Sequence, residues 1–201
     1  MDTKVFLQNL KDRGYEVSSF ATKEEAAEYL DKTIDQMSVG MASSVTLDEL
    51  GLYEKLRTHN TVWWHWCIPD GMSDREVRFK ERGTSIYISS VNGAAISGEL
   101  VNIDNTGNRV AEIAYGHDKV YLVLGRNKLA EDLEKAVERA RNVAAPKNVK
   151  RMNRTGTPCA FSDHCFDCKS AERICRILMV LWEKPRGAQY EVIYIDEDLG
   201  Y

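Results

Sequence analysis

TSIYISSVNGAAISGELVNIDNTGNRVAEIAYGHDKVYLVLG, residues 84–125, decides the fold. Ile86, Tyr87 and Ile88 stand near its start; Val120, Tyr121, Leu122, Val123 and Leu124 close it. Short apolar runs of this kind, bounded by Ser, Asn or Gly, mark central strands of a parallel sheet covered on both faces. Between them lie a small-residue loop at 92–95, an extended arm at 100–104, a turn at Asn105-Thr106-Gly107 and a helix for which Asn108 is a fitting N-cap. Open α/β sheets bind ligands just beyond the carboxyl ends of their strands. The polar residues collected there are Ser89, Ser90, Asn92, Asn102, Asp104, Asn108 and Arg109. Arg109 falls in a first helical turn, where a positive charge opposes the helix dipole. An anion bound alongside the free amides would relieve that opposition, and so would an ion pair with Asp104.

Outward from this stretch, Thr22–Glu25, Thr46–Glu49 and Ser73–Glu76 each have capping-box spacing and predict helix starts. A strand at 37–41 runs into Ala42-Ser43-Ser44, a small-residue turn that either offers backbone amides to an anion or serves only to turn the chain. Residues 61–67, TVWWHWC, have strand composition. His65 reads there as a packed histidine with backbone partners, and Cys67 as a small core residue. The neighbouring tryptophans read as core or as a face for a partner. Leu129, Leu133, Val137, Ala140 and Ala144 recur at helical spacing and predict a helix over 129–144, ended by Pro146. The alternation of elements predicts an α/β fold with an open, mostly parallel sheet and helices on both faces. Residues 1–146 read as its core; residues 147–201 read as a Cys-rich segment plus a C-terminal helix and strand that complete the same domain.

The length, 201 residues, suits one well-buried domain, and 43% hydrophobic with 29% charged residues is ordinary for a soluble globular chain. A net charge of −4 argues against nucleic acid as the main partner. The N-terminal MDTKVFLQNLKDRG lacks a leader's apolar core, and no stretch reaches the roughly 18 apolar residues of a membrane span. The expectation is a cytoplasmic protein; homo-oligomerisation stays open.

In a reducing compartment the cysteines are not a disulfide framework. Cys159, Cys165, Cys168 and Cys175 are spaced C-x5-C-x2-C-x6-C. The C-x2-C pair is a chelating unit, and thiolates this close satisfy a tetrahedral zinc site or an iron–sulfur cluster. Buried or redox thiols are the alternative, and the spacing matches neither ferredoxin runs nor a common zinc ribbon.

VGMASSVTLDELGL from Val39, VNGAAISGELVNIDNTGNRVAEIAYGHDKVYLVLGRNKL from Val91, and AAPKN followed by TPC…C…C…RIC from Ala144 to Cys175 together resemble the lactate-utilization (LUD) domain family, which includes lactate-utilization protein C. The resemblance implies a sheet like that of ribose-5-phosphate isomerase and the coenzyme A transferases. It also implies a part in oxidising L-lactate to pyruvate with iron–sulfur oxidoreductase partners. Relatives often carry paired glycines where this chain has Ala42 and Ser43, and an acidic residue where it has Ile96 and Ser97. The transferase glutamate has only Glu99 as a nearby candidate, out of position.

Three functions follow. The first is a lactate-utilization component binding a small anionic metabolite through Ser43, Ser44, Asn92, Asn108 and Arg109, by amide and guanidinium recognition. The second is an isomerase or acyl-transfer enzyme acting on a phosphorylated or coenzyme A-linked molecule, with Glu99 or Asp104 as the catalytic carboxylate. The third is a non-catalytic metal-binding subunit.

Overall fold

The computed structural model describes residues 2–201; Met1, the first residue of the segment read above as lacking a leader, lies outside them. The strands are β1 (Glu16–Phe20), β2 (Ser38–Met41), β3 (Thr61–Trp64), β4 (Ile86–Ser90), β5 (Gly93–Ala95), β6 (Leu100–Asp104), β7 (Lys119–Gly125), β8 (Leu129–Ala130), β9 (Ile177–Leu181) and β10 (Gln189–Ile195). The helices are α1 (Thr3–Asp12), α2 (Lys23–Thr33), α3 (Val45–Glu49), α4 (Leu52–Leu56), α5 (Asp74–Arg82), α6 (Asn108–Ala114), α7 (Leu133–Arg139) and α8 (Ala145–Arg151).

A six-stranded sheet has the order β1-β10-β7-β4-β2-β3, with each pair parallel. β4 and β7 are central neighbours, and their runs are apolar on consecutive positions because both faces are covered. Ile86, Ile88, Tyr121 and Val123 join Ala26, Ala27 and Leu30 of α2 in one core. Tyr87, Val120, Leu122 and Leu124 join Phe6 and Leu10 of α1 and Ile113 of α6 in another. Strand alternation sends successive side chains to opposite faces, so each run feeds both cores. The fold is the open parallel α/β sheet expected, with helices on both sides.

A second sheet, β8-β5-β6-β9, packs on the α1 side through Leu100, Leu129 and Leu181, and buries Ala95, Val101 and Ala130 against Ala136 and Ala140. Gly93 makes this packing possible: a Cβ there would lie 2.5 Å from the Ala136 carbonyl oxygen.

Several local expectations are corrected. The helix begins at Leu133, capped by Asp132, because residues 129–130 are drawn into β8 by pairing with β5. It continues through a π turn at Ala140–Ala144 into α8, and Pro146 stands within that run, just past the π turn, rather than ending it. A boundary at 146/147 therefore cuts a continuous helical run. The apolar run at 177–182 is not a helix but β9, antiparallel to β6, and β10 lies between β1 and β7. β3 stops at Trp64, leaving His65, Trp66 and Cys67 in the turn beyond it. Ser44, not Thr46, caps α3, and Gly107 at φ 88°, not Asn108, precedes α6. The other capping boxes form as read, at Thr22–Glu25 and Ser73–Glu76.

Candidate functional site

Beyond the carboxyl ends of β2, β4 and β7 the structure holds a cleft of about 240 Å³. Ser43, Ser44 and Thr46 reach it from the turn after β2, Ser90 and Asn92 from the end of β4, and Lys128 from beyond β7. Asp104 ends β6, and Asn108 and Arg109 begin α6. The roof is Ala140 and Ala144 of the π turn with Asn148 and Arg151 of α8. A π turn interrupting an α-helix is frequent at functional sites.

The structure thus gathers Ser43, Ser44, Asn92, Asn108 and Arg109 around one cavity. Their bonds differ from the expectation in detail. The Ser44 hydroxyl accepts from Leu47 N at 3.4 Å, and Asn108 Oδ1 accepts from Thr106 Oγ1 at 2.5 Å. Arg109 donates to Asn102 Oδ1 at 2.7 Å, Asn92 Oδ1 at 3.0 Å, Ile103 O at 2.5 Å and Ser90 O at 3.3 Å. Every one of those acceptors is neutral. Asp104 instead accepts from Asn105 N at 2.6 Å and Val110 N at 3.1 Å, tying down the start of α6. The Asp104–Arg109 ion pair does not form.

Lys128 is only 2% exposed. Its ammonium donates to Thr46 Oγ1 at 2.8 Å and Ser90 Oγ at 2.7 Å. Burial holds its pKa well below the usual lysine range, and the positive charges of Arg139 and Arg109 push it further the same way. Arg139 lies behind the cleft, donating to Asn127 O at 2.8 Å and Asn92 O at 2.5 Å, and burial brings its pKa down to about 10. At the rim, Arg78 pairs with Asp74 at 2.7 Å, and the Arg151 guanidinium lies 4.7 Å from the Trp66 ring centre. Among the described residues, Arg109, Lys128 and Arg139 have no carboxylate within ion-pair distance. Burying cations without anions is costly, and perturbed groups of this kind concentrate at functional sites.

A second constellation was not foreseen. His65 is buried, but its ring partners are side chains rather than the backbone. Nε2 meets the Ser43 hydroxyl, and Nδ1 meets Glu81 Oε1 at 2.6 Å. The same Glu81 oxygen accepts from His65 N at 2.7 Å. Glu81 lies in the last turn of α5, where an acid opposes the dipole; that misplaced charge was the available signal.

Of the carboxylate candidates, Glu99 is corrected. It pairs with Arg13 at 2.6 Å and with Ser97, and it does not line the cleft. Asp104 lines the cleft with its oxygens already bonded.

All the cysteines are free thiols; Cys159 is buried and Cys165, Cys168 and Cys175 are half-buried. Among the described residues no group of His, Cys, Asp or Glu is arranged to hold a metal ion. The thiols are nevertheless near one another. The Cys175 pKa is pushed up to about 11, first by burial and then by Cys165 and Cys159, with Cys168 adding to it. Cys165 Sγ accepts from Asp167 N at 3.3 Å and from Arg141 Nη2 at 3.7 Å.

The model of the LUD domain family matches residues 3–195. The chain belongs to the LUD domain family. No curated protein matches it. A crystal structure of a DUF162 family protein from Deinococcus radiodurans is similar to this LUD domain, with a TM-score of 0.54 and 13% identity over 96% of this chain and 95% of that one. At that identity the likeness is one of fold. Ribose 5-phosphate isomerase A from Methanocaldococcus jannaschii aligns over 55% of each chain, with a TM-score of 0.34 and 17% identity. No helix of the described LUD domain is long and apolar enough to cross a membrane.

Proposed function

We propose that this LUD domain serves lactate utilization by binding a small carboxylate or phosphate metabolite in the cleft at the carboxyl edge of its sheet. One observation carries the reading: Arg109, Lys128 and Arg139 converge on Ser90 and Asn92 with only neutral partners. An anion entering the cleft supplies the missing counter-charge. Arg109, held in place by its neutral acceptors, is the fixed donor; Lys128 regains a full positive charge as the anion arrives. Lactate and pyruvate match the family context and the size of the cavity.

Titration calorimetry with L-lactate, pyruvate and sugar phosphates tests this. Charge-assisted hydrogen bonds are worth about 1.5–3 kcal/mol, so Arg109→Ala is expected to weaken binding by about 10- to 100-fold. Unchanged affinity in that variant rejects the anion site.

A second element of the reading concerns the thiols. Cys159, Cys165, Cys168 and Cys175 are the soft donors that zinc or an iron–sulfur cluster would use once the segment closes on it, and the Cys175 thiol, raised first by burial and then by the neighbouring cysteines, would be relieved by a cation. Bound there, a cluster would supply one-electron transfer toward iron–sulfur partners, whereas zinc would only fix the segment. Both suit a reducing, cytoplasmic setting. The isomerase or transferase reading requires a free carboxylate in the cleft, and neither Glu99 nor Asp104 is one.

A further inference from the structure

The Ser43–His65–Glu81 constellation lies beside the cations of the cleft, sharing only the Ser43 hydroxyl with its lining. Two of the other histidines are spent on structure. His117 bonds Thr84 O at 2.7 Å and Glu112 at 2.9 Å, and His59 bonds Asp35 and Asp31 at 2.9 and 3.0 Å. His65 differs, because one ring nitrogen meets a hydroxyl that lines a cavity. The ring is fixed by Glu81, which accepts from both the His65 amide and Nδ1. With Nδ1 protonated toward the carboxylate, Nε2 carries its lone pair toward Ser43 Oγ. A buried acid, an oriented imidazole and a cleft-facing hydroxyl in sequence form the arrangement that activates a serine, recognised by geometry and not by position in the chain.

We infer that Ser43 is an activated nucleophile, with His65 as its general base and Glu81 as the residue that positions His65, acting on small esters or thioesters that carry a separate carboxylate or phosphate. The Ser43 Oγ–acyl bond forms, the Oγ proton passes to His65 Nε2, and the alcohol or thiol departs with that proton. Water then attacks the acyl carbon, giving its proton to His65; the Ser43–acyl bond breaks, and Ser43 recovers its proton. Acid, alcohol or thiol, and unchanged enzyme remain. The substrate's anionic arm rests on the cleft reading above; the reactivity of the hydroxyl does not.

The test uses diisopropyl fluorophosphate, a neutral probe that reads the hydroxyl alone. It forms a Ser43–phosphorus bond with loss of fluoride, located by peptide mass spectrometry on the full chain. Labelling is expected at Ser43, absent in Ser43→Ala, and slowed by about 100-fold or more in His65→Gln, the scale of general-base catalysis. Glu81 bonds His65, and Asp74, paired with Arg78, is close enough to feel its charge. Glu81→Gln is expected to slow labelling and to move its acidic limb to lower pH, since losing the carboxylate makes the imidazole easier to deprotonate. Should the His65 or Glu81 variants fail to fold, Ser43→Cys in the otherwise unchanged chain decides. Iodoacetamide is expected to alkylate Cys at position 43 well below the ordinary thiol pKa of about 8.5. No adduct at Ser43, equal labelling in folded His65→Gln, or alkylation of the Ser43→Cys variant only in the ordinary thiol range overturns the inference. Labelling with no binding of lactate, pyruvate or sugar phosphates would instead sink the anion reading alone.

Discussion

Replacing Lys128 with methionine removes a buried amine while keeping most of its chain length, and its main consequence is a change in how stability depends on pH. Lys128 holds its proton weakly in the fold because burial and the Arg139 and Arg109 charges disfavour the ammonium. In the unfolded chain the same group keeps its proton up to about pH 10.4. Between the depressed folded value and that limit, the unfolded state binds the extra proton, so wild-type stability rises with pH. The slope is about 1.4 kcal/mol per pH unit for one proton; below the folded value it vanishes, and above about pH 10.4 it vanishes again. The two hydrogen bonds lost with the amine cost about 1 kcal/mol each. That cost is largely a fixed offset, and the Ser90 hydroxyl already lies 3.4 Å from Thr46 Oγ1, ready to pair with it. Urea unfolding of both proteins at a series of pH values up to about pH 10.4 is expected to show wild type gaining stability relative to Lys128→Met as the pH rises, with a slope of up to about 1.4 kcal/mol per pH unit. Parallel stability curves would mean that Lys128 is fully charged in the fold, and the electrostatic account of the cleft would fall with it. In the same logic anion binding takes up a proton, so calorimetric heats are expected to depend on the buffer's ionisation enthalpy in wild type and much less in the variant.

The remaining predictions separate the cleft from its surroundings. Glu99→Gln breaks a partly buried pair with Arg13 and is expected to cost about 1–2 kcal/mol in urea unfolding while leaving anion affinity unchanged; a loss of affinity would return Glu99 to the site. Reduced protein prepared without oxygen is expected to take up zinc or iron, with protons released from Cys175 and its neighbours and with affinity rising with pH toward the thiol range. Cys175→Ser is expected to weaken that uptake at least about tenfold, and wild-type protein that binds neither metal refutes the reading.

The central strands were legible because β4 and β7 are apolar on consecutive residues, a pattern that only a doubly covered strand requires. Knowing where those strands end was enough to place Asn92, Asn108 and Arg109 at one edge, since a parallel sheet sends all its carboxyl ends there. Local periodicity failed where tertiary pairing overrode it. Leu129 continues a helical stripe in the sequence but is claimed by β5, and the apolar run at 177–182, where the sequence predicts the C-terminal helix, is β9, with Leu178 52% exposed.

Lys128 and the His65–Glu81 pair were illegible for a different reason. Lys128 sits between Asn127 and Leu129, like any solvated turn residue. Only the approach of β7, β4 and α3 makes it a buried amine between Ser90 and Thr46. Glu81 is 16 residues from His65, and α5 brings them together. Lys128 carries no short-range signature, and Glu81 only its place in the last turn of α5, because their energies are unfavourable until distant elements meet. The same fact explains why they gather here. A core of this size has ample apolar side chains with which to close a sheet edge, and at this edge it holds cations on neutral oxygens instead. Those oxygens contribute dipoles but no negative charge. An anion in the cleft would lower the energy of the folded state and leave the unfolded chain untouched, so the unmet charge is itself a coupling between occupancy and fold stability.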